Sequence, residues 1–303
     1  MARHFDDIQL GSVELFCLAV ERGSFTAAAH EAGLTPAAVS RAISRLEARL
    51  GVRLFVRTTR KIRLTEVGQD YYAQCHQALS QLIDAERAVL GKQTVPAGLI
   101  RMSLPTPYGT LRVLPLLPGF RMQYPRVEFD VHLSNRNIDF VADGYDLAIR
   151  ARKREDSGLI ARKLEDARLV VVAAPDYLRR SGVPQHPEDL VAHDCIQFKL
   201  PSSGRAVPWL FRVDGVEFEL PTRGTWTCAE ELMGGVALAK AGGGLYQTYH
   251  FIVENALEAG QLETVLEPYG GCSRPFSVLY PHKTHIPLRV KTFIRYLVDH
   301  LGA

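Results

Sequence analysis

The sequence lacks the apolar segments and the cysteine pattern of membrane and exported proteins. No uninterrupted apolar run approaches the roughly 20 residues that cross a bilayer, and Asp6 and Asp7 stand where a signal peptide would have its apolar core. Five cysteines, at positions 17, 75, 195, 228 and 272, form no CxxC pair. An odd number in a long chain favours reduced thiols. We therefore expect a cytoplasmic protein without membrane association.

Signatures of catalysis and of metal or cofactor binding are also missing. No GxSxG, HExxH, P-loop or GxGxxG motif occurs. The closest histidine pair, His282 and His285, has no cysteine or carboxylate at ligand spacing. Glu230 and Glu231 are adjacent on a predicted helix and diverge rather than face each other. We therefore predict that the protein is not an enzyme and that it has neither a cofactor nor a metal site.

Charge of one sign is concentrated, although the net charge is only +3. From Arg41 to Arg63 the chain has eight basic residues and one acid, Glu47, a net +7 in 23 residues that leaves −4 on the remaining 280. A local positive field is the electrostatic footprint of nucleic-acid binding, whereas a solvated helix face is the commoner use of charged runs. With 47% hydrophobic residues in a chain of 303, we expect a globular protein of about two domains.

Two helices and a tight turn are predicted near the N-terminus. Apolar residues recur at helical spacing over Val13–Glu21, and Ser24 offers an N-cap for a short, alanine-rich helix, Phe25–Glu31. Gly33 permits a tight turn, and we expect Leu34 to anchor that turn in the core.

The third predicted helix has one apolar and one polar face. Thr35 is placed as its N-cap and Pro36 in its first turn. Its predicted buried stripe consists of Val39, Ile43, Leu46 and Leu50. Another face carries Ala37, Ser40, Arg41, Ser44 and Arg45. Two helices joined by a glycine-containing turn, the second exposing small residues and arginines, are what entry into the DNA major groove requires.

A two-stranded wing is predicted after this helix. Arg53–Arg57 and Lys61–Thr65 alternate polar and apolar residues and flank the basic tip Thr58–Arg60. Such a hairpin is placed to touch the DNA backbone or the minor groove. The segment is therefore predicted to be a winged helix-turn-helix.

The residues of this segment closely resemble those of the LysR-type transcriptional regulators. The matching stretches are Gly23–Ala29, Leu34–Ile43, Leu46-Glu47, Leu50-Gly51, Leu54-Phe55, Arg57 and Leu64–Gly68. The resemblance implies an α+β multidomain fold: a winged helix-turn-helix over residues 1–67, a linker helix and hinge over 68–95, and an α/β effector domain over 96–303, built like a periplasmic binding protein. It divides the effector domain into subdomain I, residues 98–165 plus 269–303, and subdomain II, residues 166–268.

The resemblance also implies DNA-contacting residues and partners. The residues predicted to bind DNA are Ser24, Thr35, Pro36, Ala37, Ser40, Arg41, Arg45, Arg57, Thr58 and Arg60. The implied partners are a double-stranded DNA operator, a small-molecule effector bound between the two subdomains and, as a further candidate, RNA polymerase.

A long linker helix is predicted over Glu66–Leu90, about 37 Å at 1.5 Å per residue. Its apolar positions follow a 3,4 spacing at Tyr72, Cys75, Leu79, Leu82, Glu86 and Val89, with one imperfect position at Glu86. This seam favours a homodimer, or a homotetramer built from it. Packing of the seam against the chain's own effector domain is the alternative. A hinge is expected at Pro96–Gly98.

Beyond residue 98, short strands and helices alternate, which predicts an α/β architecture with mainly parallel sheets. The predicted strands are Leu99–Leu104, Val127–Leu133, Asp146–Ala151, Arg168–Ala174, Cys195–Lys199 and Phe276–Tyr280, with a hairpin over Trp209–Leu220. The predicted helices are Tyr108–Tyr124, Ile138–Asp143, Pro175–Arg180, Ala229–Ala241 and Leu288–Leu301.

In open α/β sheets, ligands bind beyond the carboxyl ends of strands, near helix N-termini. The residues that this rule selects for effector binding are Pro105, Thr106, Pro107, Tyr108, Ser202, Ser203, Thr225, Thr227, Cys228, Gln247 and Thr248. Their hydroxyl and amide groups suit a small polar or carboxylate effector. For any single Ser or Thr, the alternative is that it caps a helix.

Two features qualify the predicted effector site. Relatives usually have an apolar run with a proline where this chain has Tyr246–Tyr249, so the pocket is alternatively lined for an aromatic or amphipathic compound. Cys228 is expected before a helix N-terminus, which lowers a thiol pKa, so a thiol sensor is a second hypothesis beside a plain pocket residue. Two other classes remain open: a periplasmic-type solute carrier and a metabolic α/β enzyme.

Overall fold

The structure is a computed structural model of the chain. It describes residues 10–57, 62–89, 95–136, 140, 144–151, 159–201, 203–281 and 286–302. The chain forms two compact units, Met1–Thr94 and Val95–Ala303. Among the helices of these ranges, none has both the length and the apolar character needed to span a membrane.

The described part of the first unit contains four helices and a two-stranded antiparallel sheet. They are α1 (Leu10–Arg22), α2 (Phe25–Glu31), α3 (Pro36–Leu50), β1 (Phe55–Arg57), β2 (Ile62–Leu64) and α4 (Glu66–Val89). Each of the first three helices is too short to be stable alone and folds by burying an apolar stripe. Phe16, Ala28 and Ile43, one from each helix, meet in one core and are at most 1% exposed. The predicted three helices and two strands are present.

The turn between α2 and α3 is held by the backbone rather than by a side chain. Gly33 has a φ of +66°, which glycine adopts without strain, and Leu34 N donates to Ala29 O at 2.8 Å. The expectation that Leu34 anchors the turn in the core is wrong, because this geometry leaves its side chain 46% exposed.

The predicted seam of α4 divides into two parts. Tyr72, Cys75 and Leu79 pack against the core of the first unit. Farther along, Leu82 is 48% exposed and its neighbour Ile83 is 46% exposed. The N-terminal part of the seam therefore belongs to the core, and an apolar surface begins at Leu82.

The second unit alternates strands and helices. Its strands are β3 (Gly98–Leu104), β4 (Val127–Leu133), β5 (Leu147–Ala151), β6 (Leu159–Ala173), β7 (Gln197–Lys199), β8 (Trp209–Val213), β9 (Val216–Leu220), β10 (Thr227–Ala229), β11 (Tyr246–Tyr249), β12 (Glu263–Val265) and β13 (Ser273–Pro281). Its α-helices are α5 (Thr106–Tyr108), α6 (Leu117–Gln123), α7 (Pro175–Ser181), α8 (Leu232–Lys240), α9 (His250–Glu258) and α10 (Leu288–Leu301).

Seven of these strands form one mixed sheet in the order β11-β6-β13-β5-β3-β4, with β12 also paired to β6. β3 lies parallel to β4 and β5, but β13 lies antiparallel to both β5 and β6. β11 and β12 also run antiparallel to β6. The expectation of mainly parallel sheets is wrong. The late strand β13 lies between β5 and β6 and runs antiparallel to both, and the part of β6 beyond β13 pairs antiparallel with β11 and β12.

Two predicted boundaries are wrong for identifiable reasons. The strand expected over Arg168–Ala174 is the end of the 15-residue β6, whose earlier residues are too polar to have been recognised. The helix expected over Tyr108–Tyr124 begins at Thr106 and passes through a π-helical and a 3₁₀ segment before α6. Pro115 and Pro118 lack the amide hydrogens that a continuous α-helix needs.

The helix expected over Ala229–Ala241 is also shorter than predicted. β10 occupies Thr227–Ala229 in parallel with β7, and α8 begins only at Leu232, with Glu231 as its N-cap. Several predicted features lie outside the described residues: the wing tip Thr58–Arg60, nearly all of the helix Ile138–Asp143, and the pair His282 and His285.

Candidate DNA-binding and effector sites

The polar face predicted for DNA binding lies on the surface of α3. Thr35 caps the helix, its hydroxyl accepting from Ala38 N at 3.2 Å, and Pro36 occupies the first turn. Exposed on this face are Thr35, Pro36, Ala37, Arg41 and Arg45, and Ser40 is half-buried. The side chains that enter the core, Val39 among them, lie on the opposite stripe. The helix can therefore offer its arginines to a groove without unpacking.

The remaining predicted DNA contacts lie on α2 and the wing. Ser24 is the N-cap of α2, its hydroxyl accepting from Ala27 N at 3.4 Å. Arg57 ends β1, opposite Ile62 of β2. Thr58 and Arg60 lie outside the described residues.

The single acid of the basic segment, Glu47, lies on the buried face of α3. The Glu47 side chain is 4% exposed, and its Oε1 accepts from Leu54 N at 2.8 Å and Phe55 N at 3.1 Å. Its Oε2 accepts from Arg53 Nη1 at 2.9 Å. Burial raises the pKa of Glu47, but these three hydrogen bonds outweigh burial and hold the pKa below its ordinary value.

An apolar cavity of about 440 Å³ opens where α4 meets α1 and α3. Its lining consists of Leu10, Val13, Arg49, Leu50, Tyr71, Cys75, Ala78 and Leu79. The Cys75 thiol in this lining has a pKa raised by burial. This chemistry fits the prediction of a small core residue better than a reactive thiol.

In the second unit, the carboxyl ends of β3 and β4 meet the loop before α8. The Asn135 side chain accepts from Thr106 N at 3.3 Å and donates to Glu230 O. Arg136 next to it pairs with the Glu230 carboxylate at 2.9 Å. Glu230 has a φ of +64°, a left-handed backbone that a residue with a Cβ seldom adopts. Two segments more than 90 residues apart are thereby joined at one edge of the sheet.

A buried guanidinium lies at the same edge. Arg150 of β5 is 8% exposed, and it donates to Ser103 O, Ser103 Oγ and Arg136 O at 2.8–3.1 Å. These bonds tie the ends of β3 and β5 to the loop after β4.

The predicted effector residues fall into different environments. Pro105 and Thr106 are half-buried at the end of β3, whereas Pro107 and Tyr108 are buried inside the helical segment. The Tyr108 ring stacks on Phe276 with centroids 4.0 Å apart. Tyr108 therefore presents no atom to solvent, and its hydroxyl is buried without a hydrogen-bond partner among the described residues.

The predicted loop residues of subdomain II are mostly exposed. Ser203 lies in a turn, where its hydroxyl accepts from Arg205 N at 3.4 Å, and Ser202 is outside the described residues. Thr225 N donates to Asp194 Oδ1 at 2.6 Å. Thr227 is exposed on β10. Ser203 thus bonds a local backbone amide in a turn rather than capping a helix.

The polar pair on β11 is used internally. The Gln247 amide accepts from Leu210 N and donates to Leu210 O, each at 2.8 Å. Thr248 is 2% exposed, and its hydroxyl has no hydrogen-bond partner in the described part of the chain. Tyr246 and Tyr249 are both buried, so the aromatic rings of this segment contribute to the core.

The expectation that Cys228 stands at a helix N-terminus is wrong. It lies in the middle of β10, opposite Phe198, and α8 begins four residues later. Burial raises the pKa of the Cys228 thiol above its ordinary value. The helix-terminus argument for a reactive thiolate therefore does not apply to this residue.

Asn135, Glu230 and Arg150 were not selected from the sequence. Asn135 follows the predicted strand Val127–Leu133 by two residues, so the rule that selected Thr106 could have found it. Glu230 and Arg150 carry no such signal, because their roles depend on tertiary contacts.

Comparison with known proteins places both units in one family. Residues 10–69 match the bacterial regulatory helix-turn-helix proteins of the lysR family, and residues 93–302 match the LysR substrate binding domain. The HTH-type transcriptional regulator CrgA of Neisseria meningitidis serogroup C is 33% identical over 95% of each chain.

Solved structures agree with these matches. The structure of CrgA, a LysR-type transcriptional regulator from Neisseria meningitidis, is 30% identical, with a TM-score of 0.60 over 97% of this chain and 99% of that one. The full-length Vibrio cholerae virulence activator AphB is 28% identical, with a TM-score of 0.61 over 97% of this chain and 100% of that one. The predicted architecture is therefore confirmed, and the chain belongs to the LysR family of DNA-binding transcriptional regulators.

Proposed function

We propose that this regulator reads an operator through the exposed face of α3 and responds to a small anion held between subdomains I and II. Residues 1–67 would bind DNA, 68–95 would dimerise, and 96–303 would bind the effector. The protein acts in the cytoplasm as a homodimer or homotetramer, catalyses no reaction and passes its signal to RNA polymerase. The exposed apolar surface at Leu82 and Ile83 supports a second copy as the partner of α4.

One observation carries the effector proposal: the Asn135 side chain contacts both proposed subdomains. It contacts Thr106 of subdomain I and Glu230 of subdomain II. A ligand that contacts Asn135 and Thr106 can shift the relative placement of the subdomains by its differential affinity for the two placements. The hydroxyl and amide groups near the strand ends suit a carboxylate, and half-buried Thr106 can add a hydroxyl donor.

Two variants test operator reading. Arg41→Ala should cost about 1 to 3 kcal/mol and relax the preference at one base position. Arg60→Ala should weaken binding to all operator sequences alike. It should also reduce by about one the steepness with which log affinity falls with log salt concentration, here called the salt slope. Binding isotherms on a panel of single-base operator variants measure both effects. Equal losses at every sequence from both variants would contradict the assigned roles.

Thermal shift with a panel of small carboxylates, matched neutral amides and aromatic acids tests the effector proposal. We expect carboxylates to raise the melting temperature of the second unit and Asn135→Ala to reduce that rise. Stabilisation by the amides equal to that by the acids would exclude a specific anion site. Turnover of any panel compound would support the enzyme class instead.

A further inference from the structure

The placement of Glu47 on α3 makes it unlike the other charged residues of the basic segment. Glu47 lies one turn after Ile43 and two turns after Val39, on the buried stripe. Arg41 and Arg45 lie on the exposed face. A carboxylate in this segment subtracts from the attraction to phosphate, and a buried carboxylate is costly unless hydrogen-bonded. The groups that donate hydrogen bonds to the Glu47 carboxylate therefore indicate its structural role.

Two of the donors are consecutive backbone amides at the start of the wing. Leu54 N and Phe55 N both donate to Glu47 Oε1. Phe55 is the first residue of β1 and pairs with Leu64 of β2. Two adjacent amides converging on one oxygen fix both the position and the direction of the chain there. The carboxylate thus determines how the wing leaves α3.

The same segment continues this connection to α4. Thr65 N donates to Leu54 O at 3.0 Å, and Thr65 Oγ1 donates to Arg53 O at 2.8 Å. Thr65 Oγ1 also accepts from Gly68 N at 2.9 Å in the first turn of α4. A Cβ at Gly68 would lie 2.1 Å from Leu54 O. The start of the wing is therefore bonded to α3 on one side and packed against α4 on the other.

We propose that Glu47 is a positioning residue for operator binding, whose buried carboxylate sets the wing and the start of α4 in place relative to the recognition helix α3. The proposal rests on the proposed contact between the wing and DNA. Without the carboxylate, α3 still presents Arg41 to bases, but the wing cations no longer reach phosphates from a fixed position. Loss of Glu47 therefore changes the electrostatic part of binding more than the base preference.

The two carboxylate oxygens allow the test to be divided. Oε1 holds the two wing amides, and Oε2 pairs with Arg53, whose side chain is 68% exposed. Glu47→Gln can keep an acceptor oxygen on the amides while losing the ion pair, and Glu47→Ala loses both. Val39→Ala is the matched control for destabilisation, because it removes core volume from the same helix but no hydrogen bond to the wing.

The experiment measures operator affinity of the full chain against salt concentration, at a temperature where circular dichroism shows each variant folded. Glu47→Ala should lower the salt slope by about one for each wing cation that leaves a phosphate. It should keep the wild-type preference at the base read by Arg41. Glu47→Gln and Val39→Ala should keep the wild-type slope, since a smaller folded fraction lowers affinity without changing that slope.

If Glu47→Ala does not fold, Thr65→Ala breaks the next link of the same connection and should lower the slope in the same way. The positioning role is overturned if the folded Glu47→Ala variant keeps the wild-type salt slope. Where Glu47→Ala fails to fold, a wild-type slope in Thr65→Ala overturns it. It is also overturned if Glu47→Gln lowers the slope as much as Glu47→Ala does. A wild-type slope after Arg57→Ala combined with Arg63→Ala shows instead that the wing does not touch DNA. That result overturns the wing's proposed function, and the positioning role fails with it for a distinguishable reason.

Discussion

Two adjacent glycines in α8 should respond oppositely to replacement by alanine. A Cβ at Gly235 would lie 2.4 Å from Cζ of Tyr246 and 2.7 Å from the two Cε atoms of that ring. Tyr246 is 1% exposed, so its ring has no free space to move into. A Cβ at Gly234 would meet only the Cys228 side chain, with Sγ 3.3 Å away. The helix therefore packs on β11 through Gly235 and tolerates a side chain at Gly234.

The magnitudes follow from two opposing effects. Overpacking a core position costs about 1 to 3 kcal/mol, and replacing glycine by alanine within a helix returns up to about 1 kcal/mol. Because the 2.4 Å approach at Gly235 is far shorter than a normal contact, the upper end of the overpacking cost applies, and Gly235→Ala should lose about 2 kcal/mol of unfolding free energy. Gly234→Ala should lie between no change and a gain of about 1 kcal/mol.

Urea unfolding followed by tryptophan fluorescence measures this difference in the intact chain. Both tryptophans, Trp209 and Trp226, lie in the second unit, so the signal reports that unit alone. The transition midpoint of Gly235→Ala should fall while that of Gly234→Ala does not. Equal midpoints for the two variants would refute the packing argument, since alanine would then fit against the Tyr246 ring.

Four further outcomes are expected. Thr35→Ala should cost about 1 kcal/mol of first-unit stability by removing the α3 cap, and thermal unfolding should show Thr35→Ser to be close to wild type. Gln247→Leu should cost the second unit about 1 to 3 kcal/mol in the urea assay by leaving both backbone groups of Leu210 unpaired; a neutral result contradicts those bonds. Because the pKa of Glu47 is lowered, its stabilisation is present above the ordinary carboxyl value of 4.5 and lost as pH falls. Glu47→Gln should therefore flatten the pH dependence of first-unit unfolding below about pH 5, which circular dichroism can follow. Since burial raises the pKa of Cys228, iodoacetamide should alkylate the Cys228 thiol more slowly than it alkylates the thiol of free glutathione at pH 7.5. The Cys228→Ser variant should keep the wild-type operator affinity and any peroxide response.

The helices of the first unit could be predicted closely because their signals are local. Caps, glycines and a 3.6-residue period lie within each segment, and Ser24, Thr35 and Gly51 end or begin helices where these rules place them. Leu34 was misplaced because its burial depends on where the neighbouring helices leave space. That space is a tertiary property that no local pattern contains.

The second unit was harder to predict because its strands gain their stability from distant partners. The polar first part of β6 is a strand because β13, over 100 residues later, pairs with it along nine residues. β10 is a strand because β7 lies beside it, which shortens the predicted helix at its start. Thr248 belongs to a buried strand rather than a loop for the same reason.

Polar side chains in both units satisfy the backbone of another element, and this limits which of them can bind a ligand. Glu47 accepts from two amides of the wing, and Gln247 holds both backbone groups of Leu210. From sequence, such residues look like free surface or pocket groups, because the element they hold packs against them only in the folded protein. A ligand that competes for Gln247 would have to leave two part-buried backbone groups unpaired, at a total cost of about 1 to 3 kcal/mol. Asn135 differs, because its two partners belong to opposite subdomains in the proposed division. An effector that binds beside Asn135 and alters either hydrogen bond can change how these two segments are joined, so this side chain is the better place to look for an effect of ligand binding.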